Sequence, residues 1–399
     1  NITVRQSANN VEQSAVDIST AKWARLPNLN GSAGQNWRWG RNSVTETDKD
    51  GNQYQVYKNT YNYGTNASLS TEIPLFTGFE LPNQYALAKL NFKAAIADLE
   101  KAKEDIAIQV ASAYLKVLLT QELKQVAINQ VELSKEQSNR IARLFEVGKA
   151  SPSEVAEAKA RVAQDELSVT QSDNDYQLAL LDLSQLLELS NPHLLSIQKA
   201  DTTFVTTLLT PPDEIYQYAL TNKPEIQAAQ YRLLGSEKSI RIAQSGFYPK
   251  LNLGGNWGTG FSSDLKNNFG TQMRENRNKS IAFSLSVPLF NRFATRNRVR
   301  TARLQHFNQN LKLDNAKKVL YKEIQQAWYN ALAAESKYNS SEVAVKANEE
   351  SFRLMSEKFN NGKATFVEYN EAKLNLTKAL SDKLQAKYDY LFRTKILDF

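Results

Sequence analysis

Cysteine is absent from the 399 residues. That excludes thiol catalysis, disulfide frameworks and cysteine-ligated metal centres, and it is compatible with an oxidising compartment. Histidine is scarce: His193 and His306 are the only two, far apart and without ligand spacing, so both read as ordinary structural residues and no metal site is expected. No run of 18 apolar residues occurs and the mean hydropathy is negative, which excludes a transmembrane helix. Nor is there a basic block. The 49 Lys and Arg are interleaved with 42 Asp and Glu, so a net charge of +7 does not make nucleic acid an expected partner. A Ser/His/Asp set, a metal cluster and a Gly-rich phosphate loop are all missing, so neither an enzyme nor a cofactor is expected.

Helix breakers are also rare where it matters. Between Gly78 and Val147 the only proline is Pro82, and between Arg292 and Asn361 there is none; both interiors lack glycine. Stretches of about 65 to 70 residues at about 1.5 Å per residue predict helices of roughly 100 Å, far longer than a globular domain uses. Return helices are expected over 152–188 and 366–396.

What is present occurs twice. Phe145, Gly148, Lys149, Ala150, Ser151, Glu154, Glu157, Ala158 and Lys159 are matched by Phe359, Gly362, Lys363, Ala364, Thr365, Glu368, Glu371, Ala372 and Lys373, each 214 positions later. Each copy stops one helix and starts another: the glycine supplies a left-handed residue, and Ser151 or Thr365 three positions before a glutamate makes a capping box. These are the tips of two antiparallel helical hairpins, near 147–154 and 361–368. The same register joins Pro74, Leu75 and Phe76 to Pro288, Leu289 and Phe290, and Asp175 and Tyr176 to Asp389 and Tyr390. A register this long without a gap marks a duplication.

Ahead of each long helix the periodicity changes to two. Ala67, Leu69, Thr71, Ile73 and Leu75 alternate with Ser68, Ser70 and Glu72, and Ile281, Phe283, Leu285, Val287 and Leu289 alternate with Ala282, Ser284 and Ser286. With partner strands expected over Leu29–Trp37 and Leu251–Trp257, each half carries one strand hairpin. Polar loops are expected at the hairpin ends, Arg38–Tyr63 and Gly258–Lys279. The apolar face (Leu69, Ile73, Ile281, Phe283, Leu285, Val287) reads as lipid-facing and the small polar face as the lining of a water-filled barrel, with Trp37 and Trp257 at the lipid boundary. Four strands do not close a barrel, so several subunits are required.

A helix opens the chain, and at an offset of 222 it matches a helix beginning near Ile226. The second copy has a capped lead-in at Asp213–Asn222 that the first lacks, so a signal and a short helix are expected before Asn1. The resulting division is 1–26 and 189–247 as equatorial or connector helices, 27–77 and 248–291 as barrel strands with extracellular loops, and 78–188 and 292–399 as helical hairpins.

The order helix, strand hairpin, long helical hairpin, performed twice with Phe-x-x-Gly-Lys-Ala-Ser/Thr-x-x-Glu tips, resembles the TolC-type outer-membrane efflux channel family. The resemblance implies an α+β membrane protein: a homotrimer with one 12-stranded β-barrel continued by a periplasmic α-helical tunnel. It further implies a passive exit duct for drugs, metals or other solutes, served by a periplasmic adaptor protein and an inner-membrane pump. Val147, Gly148, Lys149, Asn361, Gly362 and Lys363 would meet the adaptor. Glu368 and Glu371 would line the aperture, where carboxylates from three subunits raise one another's pKa and attract cations. Members often carry a basic latch residue at this tip; the matched place here is Ala364, one step after Lys363. The competing reading is a structural coiled-coil or adhesin-like surface protein without a conduit.

Overall fold

The computed structural model describes residues 1–189, 195, 197 and 210–397. The chain runs α1 (Ile2–Trp23), β1 (Asn30–Thr47), β2 (Gln53–Phe76), α2 (Glu80–Glu146), α3 (Pro152–Leu186), α4 (Pro212–Asn222), α5 (Pro224–Gln244), β3 (Lys250–Ser262), α6 (Phe269–Glu275), β4 (Asn278–Ser286), α7 (Ala294–Asn360) and α8 (Phe366–Ile396). The duplication is kept to the residue. Helices α2 and α7 each have 67 residues and start and stop 214 positions apart. His193 and the neighbouring Asn191 and Pro192, within the expected connector, lie outside the described residues.

Two compact units emerge, one of residues 1–10, 96–228 and 314–399, the other of 11–95 and 229–313. In the first, Val117 of α2 is buried against Ala179 and Leu183 of α3, with Tyr114 and Tyr176 packed around them. Small residues at the contact let the helices approach closely, and large ones fill the flanks. Ion pairs run along the same seam, Lys116 with Asp182 (3.3 Å), Lys124 with Asp173 (2.5 Å) and Lys135 with Glu166 (2.8 Å). Being exposed, each contributes a few tenths of a kcal/mol, about the surface-pair norm.

The second unit holds one antiparallel sheet in the order β1-β2-β3-β4. Its strands are longer than the alternation marked. Arg38–Thr47 and Gln53–Tyr63, expected as a polar loop, are strand, paired from Trp37↔Tyr63 out to Thr47↔Gln53. The segment is rich in Tyr, Thr and Val, which favour strand, and its turn is confined to Asp48–Asn52 with Gly51 at φ +84°. At the other hairpin, the expected loop contains α6, capped by Asn268 and held by the buried Gln272, whose amide nitrogen donates to Ser262 O (3.0 Å) and Asn267 O (2.7 Å). Strand β4 ends at Ser286, so Val287 lies just past it.

The exits from sheet to helix are built alike. Gly78 and Phe79 have φ +65° and +67°, and their matches Arg292 and Phe293 have +53° and +60°. Phe79 meets Phe76 edge-on at 5.3 Å, as Phe293 meets Phe290 at 5.6 Å. In the first copy only glycine fits, since a Cβ at Gly78 would lie 2.7 Å from Ser245 O. His306 takes an ordinary structural part, its Nδ1 sharing a hydrogen bond with Ser236 Oγ at 2.7 Å.

Candidate functional site

Two surfaces carry the residues picked out by sequence, and a third lies inside the helical unit. The first is the sheet. Residues directly opposite in an antiparallel ladder share a face, so the register sorts every side chain. Leu69 pairs with Trp257, Ile73 with Leu253, Leu253 with Phe283 and Leu251 with Leu285. All stand on one face, and that face is open: Ile281 is 79% exposed, Phe283 70% and Leu285 65%. Further along it Trp37 and Trp39 lie opposite Tyr63 and Tyr61. The other face bears Asn30, Ser32, Ser68, Ser70, Glu72, Asn252, Asn256, Ser280 and Ser284, and it encloses a polar hollow of about 330 Å³. Among the described residues, strands β1 and β4 are each paired on one side only.

The second surface is the pair of tips. Gly148 and Gly362 have φ +74° and +70° with nothing within 4 Å of where a Cβ would stand. Each ends its helix in the same way. Gly148 N donates to Phe145 O (2.9 Å) and Lys149 N to Leu144 O (2.7 Å), and Gly362 N and Lys363 N repeat this with Phe359 O and Lys358 O. Ser151 and Thr365 then open the next helices through complete capping boxes. Thr365 N donates to Glu368 Oε2 at 2.7 Å, and Ser151 N to Glu154 Oε2 at 2.7 Å. These backbone hydrogen bonds, with those from the Thr365 and Ser151 hydroxyls, hold both carboxyls below their usual value. Glu368 is therefore engaged within its own chain, while Glu371 on the next turn is exposed. Val147 is 67% exposed at the end of the first hairpin.

The third surface is internal and was missed by sequence reasoning. Lys373 of α8 is 2% exposed, and its ammonium donates to Ser134 Oγ (2.5 Å) and Gln130 O (3.2 Å) on α2 and lies 3.6 Å from Asp165 Oδ2 on α3. Ser134 also bonds Asp165, and Arg161 approaches the same carboxylate at 3.6 Å. Thr377, one turn on, donates to Gln130 Oε1 at 2.7 Å. Burial pulls the lysine down, opposed by Asp165. Higher on α8, Tyr388 donates to Glu122 Oε1 at 3.0 Å, and burial followed by that carboxylate pushes the phenol well above its ordinary value. At the tip Phe366 is buried against Ile141 and Ala158, and Arg140 bonds Asn360. The second hairpin is thus pinned to the first by polar anchors along its length. The available signal was that Lys373 recurs as Lys159 while its counter-ion does not recur, since the match of Asp165 is Ala379.

With these surfaces in place, a known family accounts for the chain. The family model described as "Outer membrane efflux protein" matches residues 1–188 and 215–395. The chain belongs to the outer membrane efflux protein family. Its work is export and its place is the outer membrane. Among curated relatives, the outer membrane efflux protein BepC of Brucella suis is 21% identical over 373 residues, spanning 94% of this chain and 76% of that protein. The outer membrane protein TolC of Escherichia coli is 23% identical over 350 residues, 85% of this chain and 70% of that protein. The fold matches the outer membrane channel CmeC of Campylobacter jejuni with a TM-score of 0.82 at 19% identity, covering all of this chain and 82% of that one.

Proposed function

We propose that three copies assemble into one exit duct, twelve strands closing a barrel in the outer membrane and twelve long helices walling a periplasmic tunnel. The observation that carries this reading is the sheet, with an exposed aliphatic face, an opposite face of Ser, Asn and Gly, and two edges open to neighbours. An isolated edge is a liability in water, and closure between subunits removes it. The aliphatic face (Leu69, Ile73, Ile281, Phe283, Leu285, with Val287 at its end) meets lipid, and the cluster of Trp37, Trp39, Tyr61 and Tyr63 sits at the headgroup level.

In this reading residues 27–77 and 248–291 form the barrel, 78–188 and 292–399 the tunnel, and 1–26 with 189–247 a connecting belt. Val147, Gly148, Lys149, Asn361, Gly362 and Lys363 receive a periplasmic adaptor that brings an inner-membrane pump. Glu368 and Glu371 line the aperture, and no residue does covalent chemistry. The duct passes what the pump delivers, drugs, metals or other solutes. Mass in detergent combined with single-channel conductance tests the reading: a trimer with steady conductance supports it, and a trimer that conducts nothing leaves the helices as a scaffold without a conduit.

A further inference from the structure

The four residues around Lys373, three that hold it and Arg161 that braces Asp165, all have matches in the second repeat. Gln130 and Ser134 on α2 correspond to Ala344 and Asn348 on α7, and Arg161 and Asp165 on α3 correspond to Asn375 and Ala379 on α8. These four matching residues all line one groove of about 530 Å³ between α7 and α8. In the first hairpin the equivalent groove is filled by Lys373 of the second. The residue matching Lys373 is Lys159 on α3, and it is exposed.

We infer that the groove between α7 and α8 is the seat of Lys159 from a second copy of this chain. The ring would close by repeating between subunits the contact that Lys373 makes within one. This rests on the trimer reading and adds to it which residues meet and in which rotational sense. The logic is that of a head-to-tail interface: when one repeat binds the next inside a chain and both repeats share a fold, the free face of the last repeat fits the free face of the first in another copy.

The groove has the chemistry to take an ammonium. Asn348 donates its amide nitrogen to Ala344 O at 2.8 Å, so its Oδ1 is the acceptor that side chain has left, standing where Ser134 Oγ stands for Lys373. Asn375 adds a second amide. The counter-ion moves by one turn, because the match of Asp165 is Ala379 and the carboxylate in the groove is Asp382, three residues on. Lys337 and Lys378 also border the groove, so the incoming helix must bring negative charge with its lysine. Glu166, seven residues beyond Lys159 on α3 and paired with Lys135 of its own chain at 2.8 Å, supplies a carboxylate on the same side of the helix.

The natural chain has no cysteine, so an introduced pair reports without background. Lys159→Cys combined with Asn348→Cys, treated in outer membranes with a bis-maleimide about as long as a lysine side chain, is expected to give ladders of two and three chains. Neither single variant should do so. Ala379→Cys replaces Asn348→Cys if that variant fails to accumulate. On the unmodified protein, Lys159 is expected to lose its reactivity to amine acetylation on assembly while Lys149 keeps it. Linkage confined to one chain, or a trimer by mass with no linkage and a reactive Lys159, overturns the inference while leaving the trimer standing. A monomer by mass in detergent overturns the trimer reading itself, and this inference with it.

Discussion

Lys373 Nζ stands 3.6 Å from Asp165 Oδ2, with 2% and 7% of the two side chains exposed. A buried pair of this kind adds little net stability over an apolar replacement, because desolvation offsets most of the attraction. Breaking it leaves a charge stranded. Asp165→Ala should therefore destabilise the chain by about 3 to 5 kcal/mol, whereas Asp165→Leu with Lys373→Met should cost far less. Denaturant unfolding in detergent checks this. Equal losses in both variants would show that the anchor works by shape and not by charge.

Leu285 lies on β4 opposite Leu251, 65% exposed on the aliphatic face. Leu285→Arg should cost about 2 to 4 kcal/mol if the site falls near the bilayer midplane, and less toward either interface. Ser284→Arg, one residue along on the polar face, should be tolerated. Trimer yield in outer membranes reads both, and an indifferent Leu285→Arg would place that face in water.

Gly148 and Gly362 are free of neighbours, so a substitution there meets only the strain of a left-handed backbone. The double variant Gly148→Val, Gly362→Val should lose about 1 to 2 kcal/mol per site or displace the turns. Trimers should still form while efflux falls. Normal efflux from this variant would remove the tips from the docking surface.

Glu368 and Glu371 to Gln should weaken cation block from the periplasmic side and alter ion selectivity, and the same change at Glu154 and Glu157 should do much less. Glutamine also closes a capping box, so the start of α8 should survive the change. Within one chain Thr365 N and Oγ1 hold the Glu368 carboxyl below its usual 4.5, while neighbouring carboxylates on the proposed axis push it up, so acid should relieve the block in the window these opposed effects set. The stability contributed by the cap alone is complete above pH 4.5 and lost below the capped value. Conductance with divalent cations across this pH range checks both statements, and equal effects from the two pairs would show that Glu368 and Glu371 are not the residues that line the aperture.

The helical hairpins were legible in sequence because their punctuation is local. Gly148, Ser151 and Glu154 dictate a stop and a start within seven residues, and their repetition at Gly362, Thr365 and Glu368 fixed the architecture. Strand lengths were less legible. Asp50 and Gly51 signal the turn, but the half-buried face of the flanking strands carries Asn42, Glu46, Thr60 and Asn62 beside Val44 and Val56, while the exposed face carries Tyr57, Tyr61 and Tyr63, so the period of two is not one of hydrophobicity. Gln272 and Lys373 were hidden for a different reason. Polar residues are normally read as surface, and only three-dimensional partners more than 200 positions away, in the case of Lys373, turn one into a core residue.

The sheet edges also bear on how the chain reaches its destination. β1 offers 18 residues of strand with one side unpaired, and β4 offers nine. Before assembly such edges accept any extended segment they meet, so closure of the proposed trimer would compete with strand addition from foreign chains. Refolding yield should accordingly rise with detergent and pass through a maximum in protein concentration, and a factor that shields bare β-edges should raise it further.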